Sequence, residues 1–223
     1  MTMGTFVQEL AALRESLVSM GDIVLKMVRL AGEALLAGDV EKAREVIKSD
    51  ADVNARENQI VDRAIRLIAT NQPVAGDLRF LAASLRLATE LERIGDLGAN
   101  LARRTLGLAE LASEGAVLGQ TPPDLARMVH EAMVMLDLAL QAFNERDAVK
   151  AEAVLGMDDV IDDFNRHIRR LILGLVYDNG RLASWGLEII NTSVHLERLG
   201  DHATNLAEEV IYVAKGQNVR HNY

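Results

Sequence analysis

The sequence has no cysteine and only three prolines in 223 residues. Without cysteine there is no disulfide and no thiolate, so a metal would have to be held by oxygen or imidazole donors. A reducing compartment is compatible with this. Aromatic residues make up only 4%, although hydrophobic residues make up 49%, and that balance suits long helices better than sheets. No apolar run reaches the roughly 18–20 residues of a membrane span. The first ten residues carry Glu9 and no basic cluster, so they do not read as a signal peptide. Basic residues are in deficit, with 24 Lys and Arg against 33 Asp and Glu and a net charge of −9. This argues against nucleic acid as a partner and favours a cation or a basic protein surface. Catalytic signatures are missing too. His130-Glu131 lacks the second histidine of H-E-x-x-H, and there is no ferritin-type Glu-x-x-His pair, no glycine-rich phosphate loop and no Ser or Cys nucleophile set.

What is present is helical periodicity. Leu10, Leu13, Leu17, Met20, Val24, Met27, Val28 and Ala31 keep the three-and-four spacing of one apolar stripe, which predicts a first helix from Phe6 to Ala37. Gly38-Asp39 is a stop followed by a cap. A second helix, carrying Ala43, Val46, Ile47, Val53, Ile60, Ala64, Ile65 and Ile68, follows to about Thr70. Asn71-Gln72-Pro73 breaks it, and a third helix runs from Val74 to about Leu111. Residues 112–123 hold Ser113, Gly115, Gly119, Thr121, Pro122 and Pro123 and read as a linker. The pattern then restarts: a fourth helix from Asp124 to Phe143, a turn at Arg146-Asp147, a fifth helix, and a sixth from Arg181 to Lys215 closed by Gly216. Residues 217–223 read as a polar, frayed tail. The expectation is an all-α chain of six long antiparallel helices, forming two tandem three-helix bundles over 1–111 and 124–223.

The two halves are repeats. Leu91-Glu92-Arg93-Ile94-Gly95-Asp96-Leu97-Gly98-Ala99-Asn100-Leu101-Ala102 returns as Leu196-Glu197-Arg198-Leu199-Gly200-Asp201-His202-Ala203-Thr204-Asn205-Leu206-Ala207. Eight of the twelve positions are identical, at a constant offset of 105 residues. Each copy places a glutamate, an aspartate and an asparagine one turn apart on one helix face, with Cβ atoms roughly 5–6 Å apart. In the third helix, Leu78, Leu81, Leu85 and Ala88 lead into Glu92 and Asp96. In the sixth, Ile190 and Val194 lead into Glu197 and Asp201. The carboxylates therefore continue the apolar stripe, where ionised neighbours repel and are costly to dehydrate.

The second helix of each half offers matching acids, Asp158 and Asp162 in one and Asp50 and Asn54 in the other. Facing carboxylates on bundle helices point to a cation site. The candidate metal-facing residues are Glu92, Asp96, Asn100, Glu197, Asp201, Asn205, Asp158, Asp162, Asp50 and Asn54. Oxygen donors favour hard or borderline ions: iron, manganese, magnesium, calcium or zinc. Gly95, Gly98 and Gly200 each cost a helix about 1 kcal/mol relative to alanine, and a close approach by another helix or an ion would justify that. Arg79, Arg86 and Arg93 recur every seven residues as a basic ridge, read as a solvated face, a docking surface or an anion contact, and Arg198 repeats Arg93 in the second copy. His195 and His202 share a face read as surface or dimer contact, and Trp185 as packing.

With the two E-R-[IL]-G-D-x-x-x-N segments at Glu92–Asn100 and Glu197–Asn205, and with Asn71-Gln72-Pro73-Val74-Ala75-Gly76-Asp77-Leu78-Arg79, the chain resembles the PhoU family of phosphate-transport regulators over about Phe6 to Gly216. The resemblance implies a cytoplasmic, dimeric, non-enzymatic adaptor that works beside the membrane without entering it. It implies restraint of phosphate uptake by the Pst transporter through its ATPase PstB, and of the phosphate-starvation response through the histidine kinase PhoR. It also implies multinuclear iron or zinc, or other divalent ions, on the acidic pairs. Asn54 departs from the family pattern, where a second aspartate is expected. Two other readings stay open at this level: a carboxylate-bridged metalloenzyme, and a structural scaffold whose acids are simply solvated.

Overall fold

The computed structural model describes residues 3–216, and the tail at 217–223 lies outside the described residues. Among the described residues there are only helices and connections: α1 (Met3–Ala37), α2 (Val40–Asn71), α3 (Ala75–Ser113), α4 (Pro123–Glu145), α5 (Ala148–Leu155), α6 (Asp158–Asp178), a 3-10 turn (Gly180–Leu182) and α7 (Ala183–Lys215). Among the described residues no helix is long and apolar enough to cross a membrane.

Local chemistry sets the helix ends. Gly38 takes φ +67, and Asp39 then caps α2 by accepting from the Lys42 amide at 3.0 Å. In the second half Arg146 adopts the left-handed conformation that Gly38 adopts in the first, with φ 57. Asp147 caps α5 through the Val149 and Lys150 amides. The expected fifth helix is interrupted at Gly156–Met157. Glycine propagates a helix poorly, whereas α2 passes the equivalent point, Lys48, without a break. As a result Asp158 sits in the first turn of α6 rather than in mid-helix.

Packing follows the stripes. Leu13, Leu17, Met20, Val24, Met27, Val28 and Ala31 are all buried, each large side chain contributing about 1.5–3 kcal/mol. The pattern overreached at Ile65 and Leu78, which are exposed, while Leu67 is buried in α2.

The two halves share one core. Their main seam is α3 against α7, antiparallel, and it is stitched by Arg86–Glu209 at 2.6 Å, Glu90–His202 at 2.6 Å and Arg104–Glu188 at 3.2 Å. A second seam joins α1 to α4 at two glycines. A Cβ on Gly21 would lie 2.8 Å from Leu140, and one on Gly32 2.8 Å from Val129. Trp185 is buried as expected, with its ring against Gly119 of the linker.

Candidate metal centre: two acidic clusters

In the first half, Asp50 and Glu57 of α2 face Glu92 and Asp96 of α3 across the α2–α3 interface. Burial raises the Asp50 carboxyl above its ordinary value, and Asp96, within hydrogen-bonding reach, raises it further. Burial likewise raises Glu92, followed by the charges of Asp96, Glu57 and Asp50. Two oxygens here, Asp50 Oδ1 and Asn54 Oδ1, are buried without a hydrogen-bond partner. Glu57 accepts from Thr89 Oγ1 at 3.0 Å.

In the second half, Asp158 and Asp162 of α6 meet Glu197 and Asp201 of α7. Asp158 is pushed up to about 6 by burial and then by Asp201, Asp162 and Asp159. Burial, then Asp201, Asp162 and Asp158, raise Glu197, and burial with Asp162 raises Asp201. Each half thus gathers four acids whose mutual repulsion favours a proton or a cation.

Several expectations need correcting. The acids do not continue the buried stripe. Glu92, Asp96, Glu197, Asp158, Asp162 and Asp50 are half-buried and Asp201 is exposed, so they sit on the rims of the interfaces, where a carboxylate keeps part of its hydration. Asn205 is turned away from the cluster and donates to Glu90 at 3.1 Å, while Asn100 accepts from Arg103 at 2.7 Å. Arg86 belongs to no free ridge, because its guanidinium forks onto Glu209 with two 2.6 Å hydrogen bonds. Arg79 is half-buried near Gly216 at the end of α7, and only Arg93 and Arg198 are exposed. His202 is not a surface residue. It is buried against Glu90 in the α3–α7 seam.

The residue that the motif reading passed over is Glu57. It lies seven residues after Asp50, two helical turns on, so it shares that face. It restores one turn later the charge missing at Asn54. Its counterpart in the second half, Asn165, is buried and accepts from Ser193 Oγ at 2.9 Å. The glycines act as expected for close approach: a Cβ on Gly95 would meet Val53 of α2 at 3.1 Å, and one on Gly200 would meet Ile161 of α6 at 3.4 Å.

The carboxylates reach one another electrostatically, but they are not gathered around a single point. Among the described residues no three His, Cys, Asp or Glu side chains are placed to hold a metal ion as they stand. The donor chemistry nonetheless fits a hard cation, as do the two orphaned oxygens of Asp50 and Asn54.

Comparison with known proteins decides the family. The PhoU domain model matches residues 17–105 and 125–210, one match in each half. The chain belongs to the PhoU family. It is 36% identical over 220 residues to a phosphate-specific transport system accessory protein PhoU homolog of Pseudomonas aeruginosa, covering 97% of this chain and 88% of that one. It is 33% identical over 214 residues to the homolog of Rhizobium meliloti, covering 96% and 89%. Among solved structures, the phosphate transport system regulatory protein PhoU of Streptococcus pneumoniae superposes with a TM-score of 0.87 at 30% identity, covering 96% of this chain and 99% of that one. The Pseudomonas aeruginosa PhoU structure gives 0.88 at 33%, covering 95% and 100%. By family this is a phosphate-transport accessory protein.

Proposed function

We propose that this PhoU-family chain is a non-enzymatic adaptor that restrains phosphate uptake and the phosphate-starvation response by contacting a PstB-like transporter ATPase and a PhoR-like histidine kinase. The observation that carries the reading is the full-length family match, with one PhoU-domain match and one acidic cluster in each half. The residues that would hold cations are Asp50, Asn54, Glu57, Glu92 and Asp96 in one half and Asp158, Asp162, Glu197 and Asp201 in the other. Bound di- or trivalent ions, iron or zinc by family resemblance, would supply charge neutralisation there. Neutralised rims hold α2 to α3 and α6 to α7, and they set the charge of the outer face that carries Arg93 and Arg198. The working unit is a homodimer in the cytoplasm.

Copurification tests the adaptor reading. Tagged protein should retain the kinase and the ATPase, and Arg93→Glu with Arg198→Glu should weaken the capture. Absence of both partners, with turnover of a substrate at the acidic clusters, would favour a carboxylate-bridged metalloenzyme.

A further inference from the structure

The ends of α1, α3, α4 and α7 meet around a groove of about 760 Å³. Its walls include Leu10, Phe80, Phe143, Val210 and Val213. Along α3 the groove and the first acidic cluster are separated by the twelve residues from Phe80 to Glu92, on the order of 18 Å at a rise of 1.5 Å per residue. The groove is therefore a separate place on the molecule.

Arg14 reaches into it. Its guanidinium carbon lies 5.0 Å from the centre of the Phe80 ring and 5.4 Å from that of Phe143. Its Nη1 is buried with no hydrogen-bond partner. A second cation, Arg146, lines the same groove. Among the described residues neither arginine enters an ion pair. Glu15 and Asp77 also line the groove, but both are exposed. Burial and the neighbouring Arg146 both work against the charge on Arg14, yet a guanidinium does not give up its proton in a protein. Facing aromatic rings offset part of that penalty and leave the guanidinium's hydrogen-bonding fork unused.

An unspent guanidinium between apolar walls has a defined complement. A carboxylate or phosphate oxygen pair would satisfy it in bidentate fashion. A small inorganic anion would leave the apolar walls uncovered, whereas an anion with a hydrocarbon body would cover them. The groove volume is within the range of small-molecule sites, roughly 300–1,000 Å³.

We propose that this groove binds a small amphipathic anion, its carboxylate or phosphate head on Arg14 and Arg146 and its apolar body against Leu10, Phe80, Val210 and Val213. The site is independent of the acidic clusters and of the adaptor role.

Titration calorimetry on the full chain tests it, with octanoate, octyl phosphate, octanol and inorganic phosphate as the four probes. Octanoate or octyl phosphate should bind, and the tighter of the two identifies the head group. Octanol and inorganic phosphate should bind at least tenfold more weakly than that probe. Arg14→Met, which keeps the length and removes the charge, should weaken anion binding tenfold or more while leaving the thermal midpoint unchanged or raised. Arg146→Gln, at an exposed position, should weaken it severalfold, and it decides the matter if Arg14→Met does not fold. Octanol binding as tightly as the anions, inorganic phosphate binding as tightly as octyl phosphate, anion affinity unchanged in the variants, or no binding of either amphiphile would each overturn the proposal.

Discussion

Removing one charge from the second acidic cluster should stabilise the metal-free protein near neutral pH. The Asp158 carboxyl is raised from its ordinary 3.8 to about 6 by burial and by Asp201, Asp162 and Asp159. A raised acid binds its proton more tightly in the folded chain than in the unfolded one. Folding is therefore least penalised below 3.8, and the penalty grows as the pH rises through about 6. At face value the shift corresponds to about 3 kcal/mol. Asp158 is half-buried and lies in the first turn of α6, where solvent screening and the free amides both favour the anion. These reduce the penalty to roughly 1–1.5 kcal/mol. Asp158→Asn carries no such penalty. With metal chelated it should melt roughly 2–6 °C above wild type near pH 7, and the gap should close near pH 4. Manganese or zinc should reverse the order, because the wild type gains more from the ion than the amide variant does. Calorimetric melting across that pH range, with and without metal, reads both effects. A variant no more stable than wild type at neutral pH, or a gap that widens on acidification, would show that the Asp158 carboxylate does not destabilise the metal-free fold.

Further tests address the seams. Glu90→Ala deprives buried His202 and Asn205 of their shared acceptor and should cost about 2–4 kcal/mol in urea unfolding. For Glu90 itself, burial pushes the pKa up, but the bonds from His202 and Asn205 outweigh it and hold the group below its ordinary 4.5. It therefore contributes stability that is lost as the pH falls below that value, and Glu90→Gln should show a shallower acid-side loss. Arg86→Met takes the forked partner from Glu209, whose side chain is 3% exposed, and should cost roughly 2–3 kcal/mol. Gly119→Ala would place a Cβ 2.6 Å from the Trp185 ring. It should shift the emission of the single tryptophan at a cost of about 1–3 kcal/mol, and unchanged emission would contradict the packing described.

Much of the fold is legible in the sequence because its signals are local. Gly38-Asp39, Pro73 and the Pro122-Pro123 linker announce helix ends, and the three-and-four stripe of α1 is buried from Leu13 onward, with Leu10 half-buried at its start. The break at Gly156–Met157 is not legible, because a lone glycine is compatible with a continuing helix and the apolar pattern runs on through it. Apart from Glu57, the acids of both clusters are visible through repetition, but their depth is not. A carboxylate on the edge of an apolar stripe reads the same whether it points into a core or rests on the rim of an interface. Glu57 was hidden because it belongs to no duplicated motif, and its partners arise only when α2 lies on α3. Glu90 and His202 are 112 residues apart, and Arg86 and Glu209 are 123 apart. No local pattern pairs them, and only the antiparallel docking of α3 on α7 does. Arg14 looks like any polar neighbour of Leu13 until Phe80 and Phe143 close over it.

Elemental analysis reads directly whether cations complete the duplicated acids. Purified wild-type protein should carry di- or trivalent metal, and Glu197→Gln with Asp201→Asn should lose the share belonging to the second half while remaining folded. Metal content that is unchanged in that double variant, or negligible in the wild type after supply of iron, zinc and manganese, would contradict the account.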